Sequence, residues 1–103
     1  MFNYETVKLE DKVVVKLEGD LDIEVTEIME DEIATQLEGH GGVELDFSGV
    51  SFVDSSGIGL LISLVGSLKE KGAIIHITNL QEDVKLIFEM LQMTDILGSD
   101  VFV

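Results

Sequence analysis

The sequence predicts an α/β fold: a single mixed β-sheet flanked by helices, in the order β-β-α-β-α-β-α-β, forming one domain over residues 1–103. Three observations carry this expectation. Short runs rich in β-branched residues alternate with longer segments whose apolar residues recur at helical spacing. Strands separated by helices need crossover connections, which place parallel strands in one sheet. No linker, repeat or low-complexity segment divides the 103 residues, and a 46% hydrophobic composition is enough for one core at that length.

The first two strands read as a hairpin. Thr6 to Leu9 is followed by Glu10-Asp11-Lys12 and then by Val13-Val14-Val15-Lys16-Leu17. Asp11 suits the turn because its carboxylate can bond its own backbone. Gly19-Asp20-Leu21-Asp22 leads into a first helix, with Val25, Ile28, Met29, Ile33 and Leu37 as its apolar stripe and Asp22 as an N-cap. Gly39-His40-Gly41-Gly42 ends that unit, since glycine commonly follows a helix C-terminus.

Val43 to Phe47 alternates as a strand should, and Ser48 to Val53 is expected to be a loop anchored by Val50 and Phe52. The second helix carries Ile58, Leu61, Leu64, Val65 and Leu68 on one face. Gly57, Gly59 and Gly66 remove side chains where backbones are expected to approach closely, at a cost of roughly 1 kcal/mol each relative to alanine. Ala73-Ile74-Ile75-His76-Ile77 reads as a central strand buried on both faces. Asn79 and Glu82 suggest a capping box for a third helix with Val84, Ile87, Phe88 and Leu91 inward. Val101-Phe102-Val103 suggests a final edge strand.

Composition narrows the function. Acids number 21 against 6 lysines, for a formal net charge of -15, with no arginine and no lysine between Lys16 and Lys69. Nucleic-acid binding needs a basic patch that displaces counterions, and an anionic membrane surface would repel this chain. No nucleic-acid partner and no membrane insertion are therefore expected, whereas a basic protein surface would attract it. With no cysteine there is no thiol nucleophile or thiolate zinc site. Met1-Phe2-Asn3-Tyr4-Glu5 lacks the basic and apolar pattern of a signal peptide, and the apolar run around Leu60 to Val65 is too short to span a bilayer. A cytoplasmic location is expected.

Catalytic and cofactor motifs are missing. The hydrolase elbow needs Gly two residues either side of its serine, but Val53 precedes Ser55 and Asp54 precedes Ser56 at that distance. No glycine is followed by the Lys-Ser/Thr of a phosphate-binding loop. Gly57-Ile58-Gly59 begins a dinucleotide fingerprint whose third glycine would fall on Ile62. Asp20, Asp22 and Glu24 have the spacing of a calcium loop, but its turn glycine would fall on Val25 and its bidentate glutamate on Asp31. His40 and His76 have no nucleophile near them in the motif pattern. No catalytic residue, cofactor or metal is expected.

Asp46 to Gly59 stands apart, because two serines and a glycine begin a helix there. The first amides of a helix have no internal partner and favour anions. Ordinary capping by Asp54 or Ser55 would account for the same residues. The segment resembles the signature of bacterial anti-sigma factor antagonists, members of the STAS domain family. Gly19-Asp20-Leu21-Asp22, the strand at Ala73–Thr78 and the helix from Gln81 to Leu91 fall where the family has them, so the resemblance covers nearly the whole chain.

The resemblance implies a non-enzymatic, phosphorylation-switched binding module. Its partners would be an anti-sigma factor that is also a serine kinase, and a metal-dependent serine phosphatase. The first serine of Asp-Ser-Ser-Gly, Ser55, would be the phosphorylated residue. Asp20, Asp22, Asp54, Ser55, Ser56 and Gly57 would form the contact surface. A constitutive STAS accessory subunit of a signalling or lipid-transport assembly is the alternative, and a small nucleotide-binding domain is a third reading. The strong acidity, without arginine, departs from the family at large and implies a more basic partner.

Overall fold

The computed structural model describes residues 2–37, 39 and 41–102. Strands β1 (Asn3–Lys8), β2 (Val13–Leu21), β3 (Gly42–Val53) and β4 (Ile74–Thr78) form one sheet in the order β1-β2-β3-β4. The β1–β2 hairpin is antiparallel, with Thr6 opposite Val15, and Leu9 N donates to Lys12 O at 2.8 Å to close its turn. β2–β3 and β3–β4 are parallel, pairing Val15 with Leu45 and Leu45 with Ile77.

Only one face of the sheet is dry. Val13, Val15 and Leu17 of β2, Val43, Leu45 and Phe47 of β3, and Ile75 and Ile77 of β4 point into the core. The other face carries half-buried Val14, Glu44, Asp46, His76 and Thr78 and exposed Lys16. There Lys12 Nζ meets Glu44 Oε1 at 2.8 Å, and Thr78 Oγ1 donates to Glu44 Oε2 at 3.1 Å. β4 is thus half-exposed rather than buried on both faces: Ile74 is 64% accessible, because alternate side chains of a strand leave on opposite sides. It is also not central, since among the described residues its outer edge holds only a parallel bridge from Ile77 to Phe102.

The expected loop Ser48–Val53 is instead the second half of a 12-residue strand. Register shifts between Lys16 and Glu18, and between Gly19 and Asp20, keep it paired to β2. Such irregularities change which side chains face inward. Phe47, Val50 and Val53 are buried at three-residue spacing, while Phe52, expected as an anchor, is 49% exposed.

The first helix is irregular rather than one regular α-helix. A 3-10 turn (Ile23–Val25) leads to a π-helical turn (Ile28–Ile33) and then to α1 (Ala34–Leu37). Val25, Ile33 and Leu37 are buried as expected, and Ile28 packs against the core. The Met29 side chain, Glu38 and His40 lie outside the described residues.

Helix α2 (Ser55–Glu70) buries Ile58, Leu61, Leu64, Val65 and Leu68. Gly57 is a close approach, but Gly59 and Gly66 have nothing within 4 Å of an added β-carbon, so no backbone contact requires them. α3 (Glu82–Met90) is capped at Gln81 without a side-chain bond. Asn79 is no cap: it sits at φ 59° and its amide donates to Asp46 Oδ1 at 3.2 Å. Val84 and Phe88 are buried, whereas Leu91, expected inward, is 47% exposed, because α3 has ended at Met90. A short α4 (Met93–Leu97), unexpected from sequence, buries Met93 and Leu97. Of the expected last strand only Phe102 forms a bridge, and Val103 lies outside the described residues.

Candidate functional site

The site is built where the end of β2 meets the start of α2. Asp54 is the N-cap of α2: its backbone is extended (φ -103°, ψ -176°), and Oδ1 accepts from Gly57 N at 2.9 Å. An extended cap residue with a short acceptor is what the orphan amides of a first turn require. The first backbone bond of the helix is Ile58 N to Asp54 O at 2.9 Å. Ser55 and Ser56 precede it, so their amides have no helical acceptor.

Two contacts with Leu21 fix the position of this turn. Asp54 N donates to Leu21 O at 3.1 Å, and a β-carbon on Gly57 would lie 2.1 Å from that oxygen. Gly57 is accordingly buried. The parallel register sets Asp20 beside Phe52 and Leu21 beside Val53. One residue on, Asp22 Oδ1 accepts from Glu24 N at 3.0 Å and caps the 3-10 turn.

The expected site residues therefore come together as two adjoining capped turns. Ser55 is exposed and Ser56 half-buried. Asp20 and Asp22, with Glu24, Phe2, Val25 and Ile28, line a neighbouring cavity of about 400 Å³. Two apolar side chains, Ile23 at 69% and Phe52 at 49% accessibility, lie at the ends of the same two strands, β2 and β3. Sequence reasoning missed both as surface groups. For Ile23 the signal was available: it directly follows a cap aspartate and falls off the apolar stripe.

Further back on β3, Asp46 opens the signature segment. Burial pushes its carboxyl up, but the Ser48 amide at 2.9 Å, the Asn79 amide, the Ser48 hydroxyl and the charge of Lys16 outweigh this and hold it below the usual carboxylate range. Asp46 thus stays an acceptor that pins the β4–α3 turn to β3.

The arrangement is an open surface at the start of α2. No polar or charged side chain among the described residues is fully buried. His76 lies on the open face of the sheet, in register with Glu44. Among the described residues no three His, Asp or Glu side chains converge to hold a metal ion, and no helix is long and apolar enough to cross a membrane.

Residues 5–98 match the family described as Mlab, STAS domain. An anti-sigma-B factor antagonist from Staphylococcus epidermidis is 28% identical over 96 residues, which is 92% of this chain and 89% of the relative. The Bacillus cell fate determinant SpoIIAA, solved in its phosphorylated form, superimposes with a TM-score of 0.70 at 25% identity, covering 100% of this chain and 89% of that one. A sulfate transporter family protein from Wolinella succinogenes shares the fold with a TM-score of 0.78 at 14% identity, covering 93% of this chain and 79% of its own. The chain belongs to the STAS domain family, whose members are generally regulatory modules without catalysis.

Proposed function

We propose that this chain is an anti-sigma factor antagonist, a binding module switched by phosphorylation of Ser55. With Ser55 unmodified it holds an anti-sigma factor that is also a serine kinase, and so releases a sigma factor. The kinase phosphorylates Ser55 and the complex separates; a metal-dependent serine phosphatase restores the binding form. Ser55 is a substrate, and the chain itself catalyses nothing.

The observation that carries the reading is the exposed Ser55 at the first position of α2, directly after the Asp54 cap whose amide bonds Leu21 at the end of β2. A kinase can reach it without unfolding anything. Phosphorylation adds close to two negative charges and three acceptor oxygens. The free amides of the first turn tolerate that charge in the isolated protein. In a complex the same group adds bulk and repulsion beside Asp54 and Asp22, and must be desolvated. A swing of about 3 kcal/mol separates affinities by roughly a hundredfold, enough to exchange partners. Asp20, Asp22, Ser55 and Ser56 supply the polar part of the contact surface, Asp54 holds the turn, and Gly57 allows α2 to sit against Leu21. The anti-sigma-B factor antagonists among its relatives support the same assignment.

The wider family match supports a second reading: a constitutive accessory subunit of a signalling or lipid-transport assembly, with Ser55 never modified. Incubation with ATP and a cell extract from the source organism, followed by site mapping, separates the two. Phosphate on Ser55, lost in Ser55→Ala and kept in Ser56→Ala, supports the switch. Phosphate on Ser48 or Ser56 alone overturns the site, and a stable partner complex with no modified serine favours the accessory subunit.

A further inference from the structure

A cavity of about 370 Å³ opens where the C-terminal end of β4 meets α3, α4 and Phe102. Its size falls in the roughly 300–1,000 Å³ range of small-molecule pockets. Its place is just beyond the carboxyl end of a parallel strand, where open α/β sheets leave a crevice for ligands. It shares no residue with the Asp20–Ser55 surface.

The walls are of two kinds. Phe88, almost fully buried, and half-buried Phe102 and Leu80 supply the apolar part. Phe88 stands edge-to-face on Phe47 at 6.0 Å and 71°, and Phe102 repeats that step on Phe88 at 6.0 Å and 77°. Three rings thus form a herringbone whose last member, Phe102, borders the cavity, and another ring would continue it in the geometry aromatic groups prefer.

The polar lining consists of Asn79, Lys85, Glu89 and Thr94. Lys85 and Glu89 are one helical turn apart on α3, a spacing at which opposite charges usually meet. Yet neither Lys85 nor Glu89 has a side-chain partner among the described residues. One cation and one anion therefore line the same opening unspent.

We propose that this cavity binds a small zwitterion with an aromatic body, of the aromatic α-amino acid class. Lys85 takes the carboxylate, Glu89 the ammonium group, and Phe88, Phe102 and Leu80 the ring. A simple anion would face Glu89 and a net charge of -15, and a simple cation would face Lys85. A neutral apolar molecule would use only the rings and engage neither of the two exposed charges at the rim. A zwitterion answers both and adds no net charge to an already acidic protein.

The test is an amide-resolved NMR titration of the whole chain with L-phenylalanine. Saturable shifts at Leu80, Lys85, Thr94 and Phe102 are expected. Phenethylamine and 3-phenylpropionate, each lacking one charge, should bind about tenfold more weakly, the loss expected for one charge-assisted hydrogen bond. Lys85→Gln should erase the advantage of L-phenylalanine over phenethylamine, and Glu89→Gln its advantage over 3-phenylpropionate. Thr94→Trp, at an exposed position, should fill the cavity and abolish the shifts. Absence of saturable shifts at these residues with millimolar L-phenylalanine would overturn the proposal. So would equal binding of 3-phenylpropionate, or shifts that survive Thr94→Trp in a folded protein.

Discussion

The Leu21 carbonyl oxygen accepts the Asp54 amide at 3.1 Å and leaves a β-carbon on Gly57 only 2.1 Å of space. One oxygen thus sets both the height and the closeness of α2 on β2. Gly57→Ala has no flexible neighbour to push aside, because the obstructing atoms are backbone. It should destabilise the fold by about 1–3 kcal/mol or more, the range of overpacking and backbone displacement. Urea unfolding followed by circular dichroism checks this, and an unchanged midpoint would contradict the contact.

Gly59 and Gly66 face open space on the same helix. Alanine at either position should stabilise by about 0.5–1 kcal/mol, through the lower helix propensity of glycine. The opposite sign of Gly57→Ala and Gly59→Ala, two residues apart, is the expected outcome. Both can be read in one denaturation series.

Asp54 holds the cap, so Asp54→Ala should cost about 0.5–2 kcal/mol. Ser55→Ala should stay within about 0.5 kcal/mol, as for an exposed side chain outside any bond network. Reversed magnitudes in thermal unfolding would make Ser55 the cap.

On the proposed switch, Ser55→Glu should weaken binding of the proposed anti-sigma factor, by less than phosphate does, because one carboxylate carries fewer charges and oxygens. Ser55→Ala should leave affinity intact. Wild-type binding should fall as salt rises, since a net charge of -15 steers a basic partner and ions screen that field. Titration calorimetry at two ionic strengths tests all three, and salt-independent binding would remove the electrostatic part of the argument.

Glu44 supplies a pH handle. The hydrogen bond from Lys12 is the main cause holding its carboxyl below 4.5, with Thr78 helping against burial. A depressed carboxyl stabilises the fold above its unfolded value and loses that contribution as pH falls through the folded one. The stability difference between wild type and Glu44→Gln should therefore be level near neutral pH and shrink once pH drops below about 4.5. Comparing the pair at each pH cancels the general relief of repulsion that acid gives so acidic a chain. A gap that widens in acid would reverse the assignment.

How much of this was legible in the sequence depended on whether local chemistry or pairing decided each element. The stripe of α2 and the aspartate-serine start of that helix follow from spacing and side-chain chemistry, and the structure keeps both. The second half of β3 did not read as a strand, because Ser48, Gly49 and Ser51 have weak β propensity. Its pairing to β2 overrides them, and the register shifts make Val53 the inward residue in place of Phe52. Ala73 to Ile77 looked central because an apolar run does not say whether another strand covers its far side. Asn79 has the composition of a cap and the backbone of a left-handed turn, and only its bond to Asp46 tells the two apart. In the site, adjacency of Asp20–Asp22 to Asp54–Ser55 needed the parallel register, which no local pattern encodes.

The strands lie side by side in the order in which they are translated. No strand has to be threaded between two that are already paired, so the sheet can grow from one edge as the chain leaves the ribosome. Contacts between successive elements can form before distant ones are available. Leu21, Asp54 and Gly57 all precede β4 in synthesis, so the frame around Ser55 can be assembled while α3 and α4 are still being made. Truncation from the C-terminus should accordingly peel the molecule from the β4 edge inward and reach the serine's turn only after α4, α3 and β4 are gone.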